Sequence, residues 1–215
     1  MADTIIFDLD GTLIDTEKYF KIFWRQAAAK FGYAMSEGQA LLLRSMGRPF
    51  APAQFKEWFG ADCDYDEIRN YRRILMKEHL DKVGVQLKPG VKETLKWLKE
   101  NDYFVALCTA TPIERATVQL KETGIDSYFD EIVSAVQVEK GKPAPDVYLF
   151  ACEKLGKESG QCFAVEDSPN GVKSAAAAGI QVIMVPDQTE PDEELSGLLY
   201  ACIPSLVELP HILCK

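Results

Sequence analysis

Two aspartates one residue apart, Asp8 and Asp10, close the apolar run TIIFD and lead into a glycine turn within the string FDLDGTLID. Carboxylates this close repel each other unless a cation lies between them or they divide the roles of nucleophile and acid/base. A second pair, Glu166 and Asp167, ends the run CFAVED and is followed by Ser168, Pro169 and Asn170. Hard oxygen ligands from two such ends suit an octahedral Mg²⁺ that keeps some waters and takes an oxygen from a phosphorylated ligand. Thr109, in CTAT, stands just before a helix start near Pro112, where a hydroxyl and free backbone amides form a natural phosphate cradle. Lys142, in EKGKPAPD, is a point charge able to hold a phosphoryl oxygen and to relieve a neighbouring carboxylate.

The elements that must position these groups follow from the apolar patterning. Short β-rich runs at residues 4–8, 104–109, 131–135, 162–167 and 181–186 read as buried parallel strands. Between the later ones lie helical patterns at 90–101, 112–123, 144–155 and 170–178, most of them closed by a glycine. Strands alternating with helices predict a doubly wound α/β sheet, in which ligands bind outside the carboxyl ends of the strands. Asp8, Asp10, Thr109, Glu166 and Asp167 all fall at such ends. The first strand has no early successor, because residues 16–86 read as helical throughout, with stripes at Glu17–Phe31 and Tyr65–Val83. The expected organisation is therefore an α/β core of residues 1–15 and 87–215 with a helical second domain, 16–86, inserted after the first strand and hinged near 15 and 87.

Composition narrows the function further. Twenty-four Lys and Arg against 33 Asp and Glu leave a formal net charge of −9, which repels nucleic acid and anionic membrane surfaces. No nucleic-acid or membrane partner is expected, and the acidic, non-basic start argues for a cytoplasmic protein. The six cysteines show no CxxC pair, and the two histidines have no ligand-like spacing to them, so reduced thiols are expected rather than disulfides or a zinc site. An anionic substrate would meet an opposing bulk field, so cations have to be concentrated locally. Arg69, Arg72 and Arg73 fall on neighbouring positions of one helix, and Lys77 follows Arg73 by a turn.

Taken in order, DLDGT, Thr109, Lys142 with KPAPD, and EDS at 166–168 resemble the four motifs of the haloacid dehalogenase-like hydrolase superfamily, over nearly the whole chain. The helical insertion resembles the cap of its β-phosphoglucomutase-like branch. The resemblance implies that Asp8 is a nucleophile that becomes an aspartyl phosphate and that Asp10 is the general acid/base, offering its backbone carbonyl to Mg²⁺. It implies that Thr109, Ala110 and Lys142 hold the phosphoryl group and that Asp167, supported by Glu166, joins Asp8 and Asp10 at the metal. Dehalogenases and phosphonatases of the superfamily lack the second aspartate, so Asp10 favours phosphate ester chemistry. The rival is a sugar phosphomutase, whose cap helix carries a histidine where this chain has Phe20, and a departure of that kind favours water as the phosphoryl acceptor. A reading from another class, a phosphate- or protein-binding module without turnover, has no use for the full set of Asp8, Asp10, Lys142 and Asp167. The resemblance also matches a cap-loop Gly-Arg pair at Gly47 and Arg48. Arg48, Arg73 and Lys77 are the candidate specificity residues. The expectation is a monomeric Mg²⁺-dependent phosphatase of a small phosphorylated metabolite.

Overall fold

The computed structural model describes residues 2–214. Six strands, β1 (Thr4–Phe7), β2 (Phe104–Thr109), β3 (Glu131–Ser134), β4 (Cys162–Glu166), β5 (Gln181–Met184) and β6 (Leu199–Cys202), form one sheet in the order β3-β2-β1-β4-β5-β6. Every pairing is parallel. The first five answer to the apolar runs of the sequence. β6 was not among them, although it lies in the apolar stretch LLYACI at 198–203; its residues alternate half-buried and exposed at the sheet edge.

Alternation along the strands sends side chains to two separate cores. Ile5 and Phe7 join Val91, Leu95 and Leu98 of α5 (Val91–Glu100) and Ala116 and Leu120 of α6 (Ile113–Thr123) on one face. Ile6 on the other face meets Val147 and Tyr148 of α7 (Asp146–Leu155) and Val172 and Ala175 of α8 (Pro169–Ala177). Two short helices, α9 (Glu193–Ser196) and α10 (Leu209–Leu213), complete the wrapping. This is an α/β doubly wound sheet of the order that reverses direction between β1 and β4, which opens a crevice at the carboxyl ends of those two strands.

Between β1 and α5 the chain makes four helices, α1 (Glu17–Lys30), α2 (Glu37–Leu42), α3 (Phe50–Phe59) and α4 (Tyr65–Val83). The bounds of α4 follow from its ends, since the Asp64 carboxylate accepts from the Glu67 amide at 3.0 Å and Gly84 stops the helix. The sequence patterns did not resolve α2 and α3, which are short and sit in a segment rich in Gly and Pro. The four helices bury an apolar cluster of their own, including Trp24, Ala27, Phe55, Tyr65 and Ile68. The two chain crossings run side by side: the Asp15 amide donates to the Gln86 carbonyl at 2.8 Å and the Lys88 amide to the Leu13 carbonyl at 2.9 Å. Among the described residues no helix is long and apolar enough to cross a membrane, and all six cysteines are free thiols.

Phe55 is fully buried, with Trp24, Trp58, Phe59 and Tyr65 around its ring. Phe55→Ala should therefore cost about 3–5 kcal/mol in urea unfolding. A loss below about 1 kcal/mol would show that this helical cluster contributes little to global stability.

Candidate active site

β1 delivers Asp8 into the crevice, its amide donating to the Val165 carbonyl of β4 at 3.0 Å. The chain then turns at Gly11, whose φ is +90° and where a Cβ would stand 2.3 Å from Asp167 Oδ2. Both the conformation and the space demand glycine. The turn sets the Asp10 carboxylate between two hydroxyls: Thr16 donates to Oδ1 at 2.6 Å and Thr111 to Oδ2 at 2.7 Å. Thr12 donates to Asp167 Oδ1 at 3.2 Å.

Lys142 is completely buried between the two strand ends. Its ammonium donates to Asp8 Oδ1 and Glu166 Oε1, both at 2.6 Å, and to the Cys108 carbonyl at 3.0 Å. All three protons are used. Burial alone would lower its pKa, but Asp8 and Glu166 outweigh that and raise it, so the charge is fixed. Tyr148 adds a donor to Glu166 Oε1 at 2.6 Å. For Asp8, burial pushes the carboxyl well above its usual range, with Lys142 opposing and Glu166 and Asp167 adding to the rise. Burial likewise pushes Asp167 up to about 7 against the pull of Arg44.

Asp8, Glu166 and Asp167 each bring an oxygen within 4.8 Å of the others. Asp8 Oδ2 is buried without a hydrogen-bond partner. An orphaned carboxylate oxygen beside two more acids is what a hard divalent cation would satisfy, so the residues fit Mg²⁺.

Two members of the site were invisible to the sequence patterns. Arg44, just after α2, pairs with the Asp167 carboxylate, donates to the Asp167 carbonyl at 3.2 Å and to the Thr189 hydroxyl at 3.0 Å, and lies 3.5 Å from Glu17. Glu17, in the first turn of α1, is buried and its carboxyl is pushed well up by that burial. An acid there reads as an ordinary helix start, and Arg44 sits within LLLRSMG with no acid nearby in sequence. The loop after Arg44 also touches the loop of Lys142 through backbone alone. The Gly47 amide donates to the Lys142 carbonyl at 2.8 Å and the Gly141 amide to the Arg48 carbonyl at 2.7 Å. A Cβ on Gly47 would stand 2.6 Å from the Gly141 Cα.

Above the carboxylates lies a cavity of about 320 Å³, with Asp8, Asp10 and Glu17 at its floor and Thr109 and Ala110 beside them. Phe20, Trp24 and several arginines of the helical insertion line the rest. Arg48 reaches the cavity but is exposed, paired with Asp66 and lying over the Tyr65 ring at 5.3 Å. Arg73 lines the cavity, whereas Lys77 does not: it pairs with Asp81 at 2.5 Å and faces a neighbouring cavity between α4 and α6. The arrangement gathers a buried carboxylate beside a fixed positive charge, a hydroxyl-anchored carboxylate and a set of acidic oxygens that fit a divalent cation around one small chamber.

A family model of haloacid dehalogenase-like hydrolases matches residues 5–185. The chain is 33% identical over 183 residues to a phosphorylated carbohydrates phosphatase of Thermotoga maritima, covering 84% of this chain and 83% of that one. It is 30% identical over 180 residues to hexitol phosphatase A of Escherichia coli, covering 84% and 81%. Among solved structures, CbbY from Rhodobacter sphaeroides in complex with phosphate superposes with a TM-score of 0.80 at 25% identity, covering 97% of this chain and 96% of that one. β-Phosphoglucomutase from Clostridium difficile, at 23% identity, shares the fold with a TM-score of 0.82, over 97% of this chain and 93% of that one.

The raised Asp167 carboxyl has a consequence for stability. A folded-state pKa of about 7 against about 3.9 in the unfolded chain means that the folded state binds the proton more tightly. Its contribution is full below about pH 4 and is lost as pH rises through about 7. In EDTA, the unfolding free energy of wild type relative to Asp167→Asn should fall across that interval, and Mg²⁺ should restore it at the upper end. Parallel curves for the two proteins would contradict the electrostatics described here.

Proposed function

The chain belongs to the haloacid dehalogenase-like hydrolases and is a phosphoric monoester hydrolase, and on that premise we propose that it hydrolyses a small phosphorylated metabolite, a sugar phosphate or similar compound, through an aspartyl phosphate on Asp8 with Mg²⁺. The observation that carries this reading is the joint placement of Asp8, bonded to a buried Lys142, and Asp10, anchored by two threonine hydroxyls, on the floor of one cavity.

In this mechanism the Asp8 carboxylate attacks phosphorus in line while Lys142 holds its position and keeps a positive charge beside the reacting group. Asp8, Glu166 and Asp167, with the Asp10 carbonyl, would hold Mg²⁺, which when bound supplies a Lewis acid that draws charge from the phosphoryl oxygens. Thr109 and the amide of Ala110 steady the transferred group. Asp10 gives its proton to the departing ester oxygen, and the alcohol leaves. Ionised, Asp10 then takes a proton from the water that attacks the Asp8 phosphate, which returns both carboxyls to their starting states. Residues 16–86 act as a cap hinged at the paired crossings, closing for the chemistry and opening for exchange. The alternative of a mutase is disfavoured by Phe20, which lines the cavity and has no proton to give or take.

The acid and base roles of Asp10 separate on the leaving group. A nitrophenolate departs without a proton, but the second step still needs the base. Asp10→Asn with nitrophenyl phosphate and Mg²⁺ should release a burst of about one equivalent of nitrophenol and leave phosphate on Asp8, visible by intact mass. On a sugar phosphate the same variant should lose at least ~10²-fold in rate. If folded Asp10→Asn gives neither burst nor phosphoenzyme, the acid/base assignment is wrong. EDTA should abolish wild-type hydrolysis and Mg²⁺ restore it, while Asp8→Asn should show no turnover and no phosphoenzyme. Hydrolysis by Asp8→Asn at near wild-type rate would remove the nucleophile assignment.

A further inference from the structure

The cavity is electrically divided. Its floor is acidic, but the side formed by α4 and α6 carries Arg69, Arg72, Arg73 and Arg115. Among the described residues none of these four has a carboxylate within ion-pairing distance or a side-chain hydrogen bond of any kind; the ion pairs of the insertion go to Arg44, Arg48 and lysines. Arg72 is the extreme case. It is 7% exposed, its guanidinium packs over the rings of Phe20 at 4.6 Å and Trp24 at 4.8 Å, and its Nε is buried with no partner. Burial lowers its pKa to about 9, with Arg115, Arg69 and Arg73 pushing the same way and only Tyr65 opposing. In a chain of net charge −9, gathering four unpaired cations on one cavity side and burying one of them is a standing cost, relieved only when an anion arrives.

The phosphoryl group that is cleaved does not supply that anion, because its position is set by Asp8, Lys142 and the metal site at the floor. We infer that the substrate carries a second oxyanion, at the end remote from the ester that is cleaved, and that Arg72, assisted by Arg69, Arg73 and Arg115, binds it. The inference rests on the phosphatase reading for the direction in which the substrate lies. The planar forks of arginine suit a phosphate or a carboxylate. The cavity volume of about 320 Å³ restricts the molecule between the two ends to a small carbon skeleton. The aromatic faces under Arg72 hold its guanidinium in place while the site waits.

Binding can be read without turnover by calorimetry on Asp8→Asn with Mg²⁺. One pair of probes is fructose 1,6-bisphosphate against fructose 6-phosphate, and the other is 3-phosphoglycerate against glycerol 3-phosphate. The second anion should tighten binding by at least ~10-fold in one or both pairs, as expected for charge-assisted hydrogen bonds. A preference in the first pair alone identifies a phosphate, and one in the second alone a carboxylate. Adding Arg72→Met, or Arg115→Met at a half-buried position that spares the packing around Phe20 and Trp24, should bring the ratio toward one. Equal affinities within both pairs would overturn the inference, as would a preference that survives in both folded variants. Hydrolysis of nitrophenyl phosphate by the wild type with Mg²⁺ is a separate readout. Its absence would strike at the phosphatase reading and leave the binding ratio to decide the subsite by itself.

Discussion

The ammonium of Lys142, held among the carboxylates of Asp8 and Glu166, is the interaction around which the crevice is organised. Without a buried cation, two strands ending in acids side by side would repel at low dielectric, and β1 and β4 would be poor neighbours at their carboxyl ends. With it, each carboxylate has a fixed orientation and the cluster retains an open oxygen on Asp8. The lysine is threaded in from a loop that lies 134 residues from Asp8 in sequence, so the cluster exists only once the ends of β1, β2 and β4 have come together.

A second charged contact ties the helical insertion to that cluster. Arg44 links Asp167 to Glu17 and Thr189, so a residue of the insertion completes the environment of a core carboxylate. The cavity above is bounded by these groups on one side and by arginines and aromatic rings on the other. The chain thus reconciles an acidic surface with phosphate chemistry by gathering four unpaired arginines in a place that bulk solvent screens little.

Much of this was legible in the residues, for identifiable reasons. Asp8 and Glu166 follow apolar runs that had to be buried strands, and strand ends at a topological switch are where ligands bind. Tyr65–Val83 carried a full amphipathic stripe between an N-capping Asp64 and Gly84, and α4 has those bounds. Other features were not readable locally. Arg44 meets Asp167 across 123 residues, a pairing that no window of sequence contains. β6 is a half-exposed edge strand whose short apolar stretch, LLYACI, has no crossover helix of ordinary length before it to mark it as the next strand of the series. Lys77 sits one turn from Arg73, yet the cavity ends between them: Arg73 lines both this cavity and its neighbour, and Lys77 only the neighbour. Helical periodicity gives the face of a residue and not where a chamber stops.

The reciprocal hydrogen bonds between Gly47 and Lys142 and between Gly141 and Arg48 use only amides and carbonyls. Docking of the two loops is therefore blind to the side chains that flank it, provided both glycines persist. The exposed side chain of Arg48 is consequently free to change in shape and charge without unfastening the loop that carries the buried lysine. Such a seam lets the insertion's flank vary while the loop behind it keeps its place.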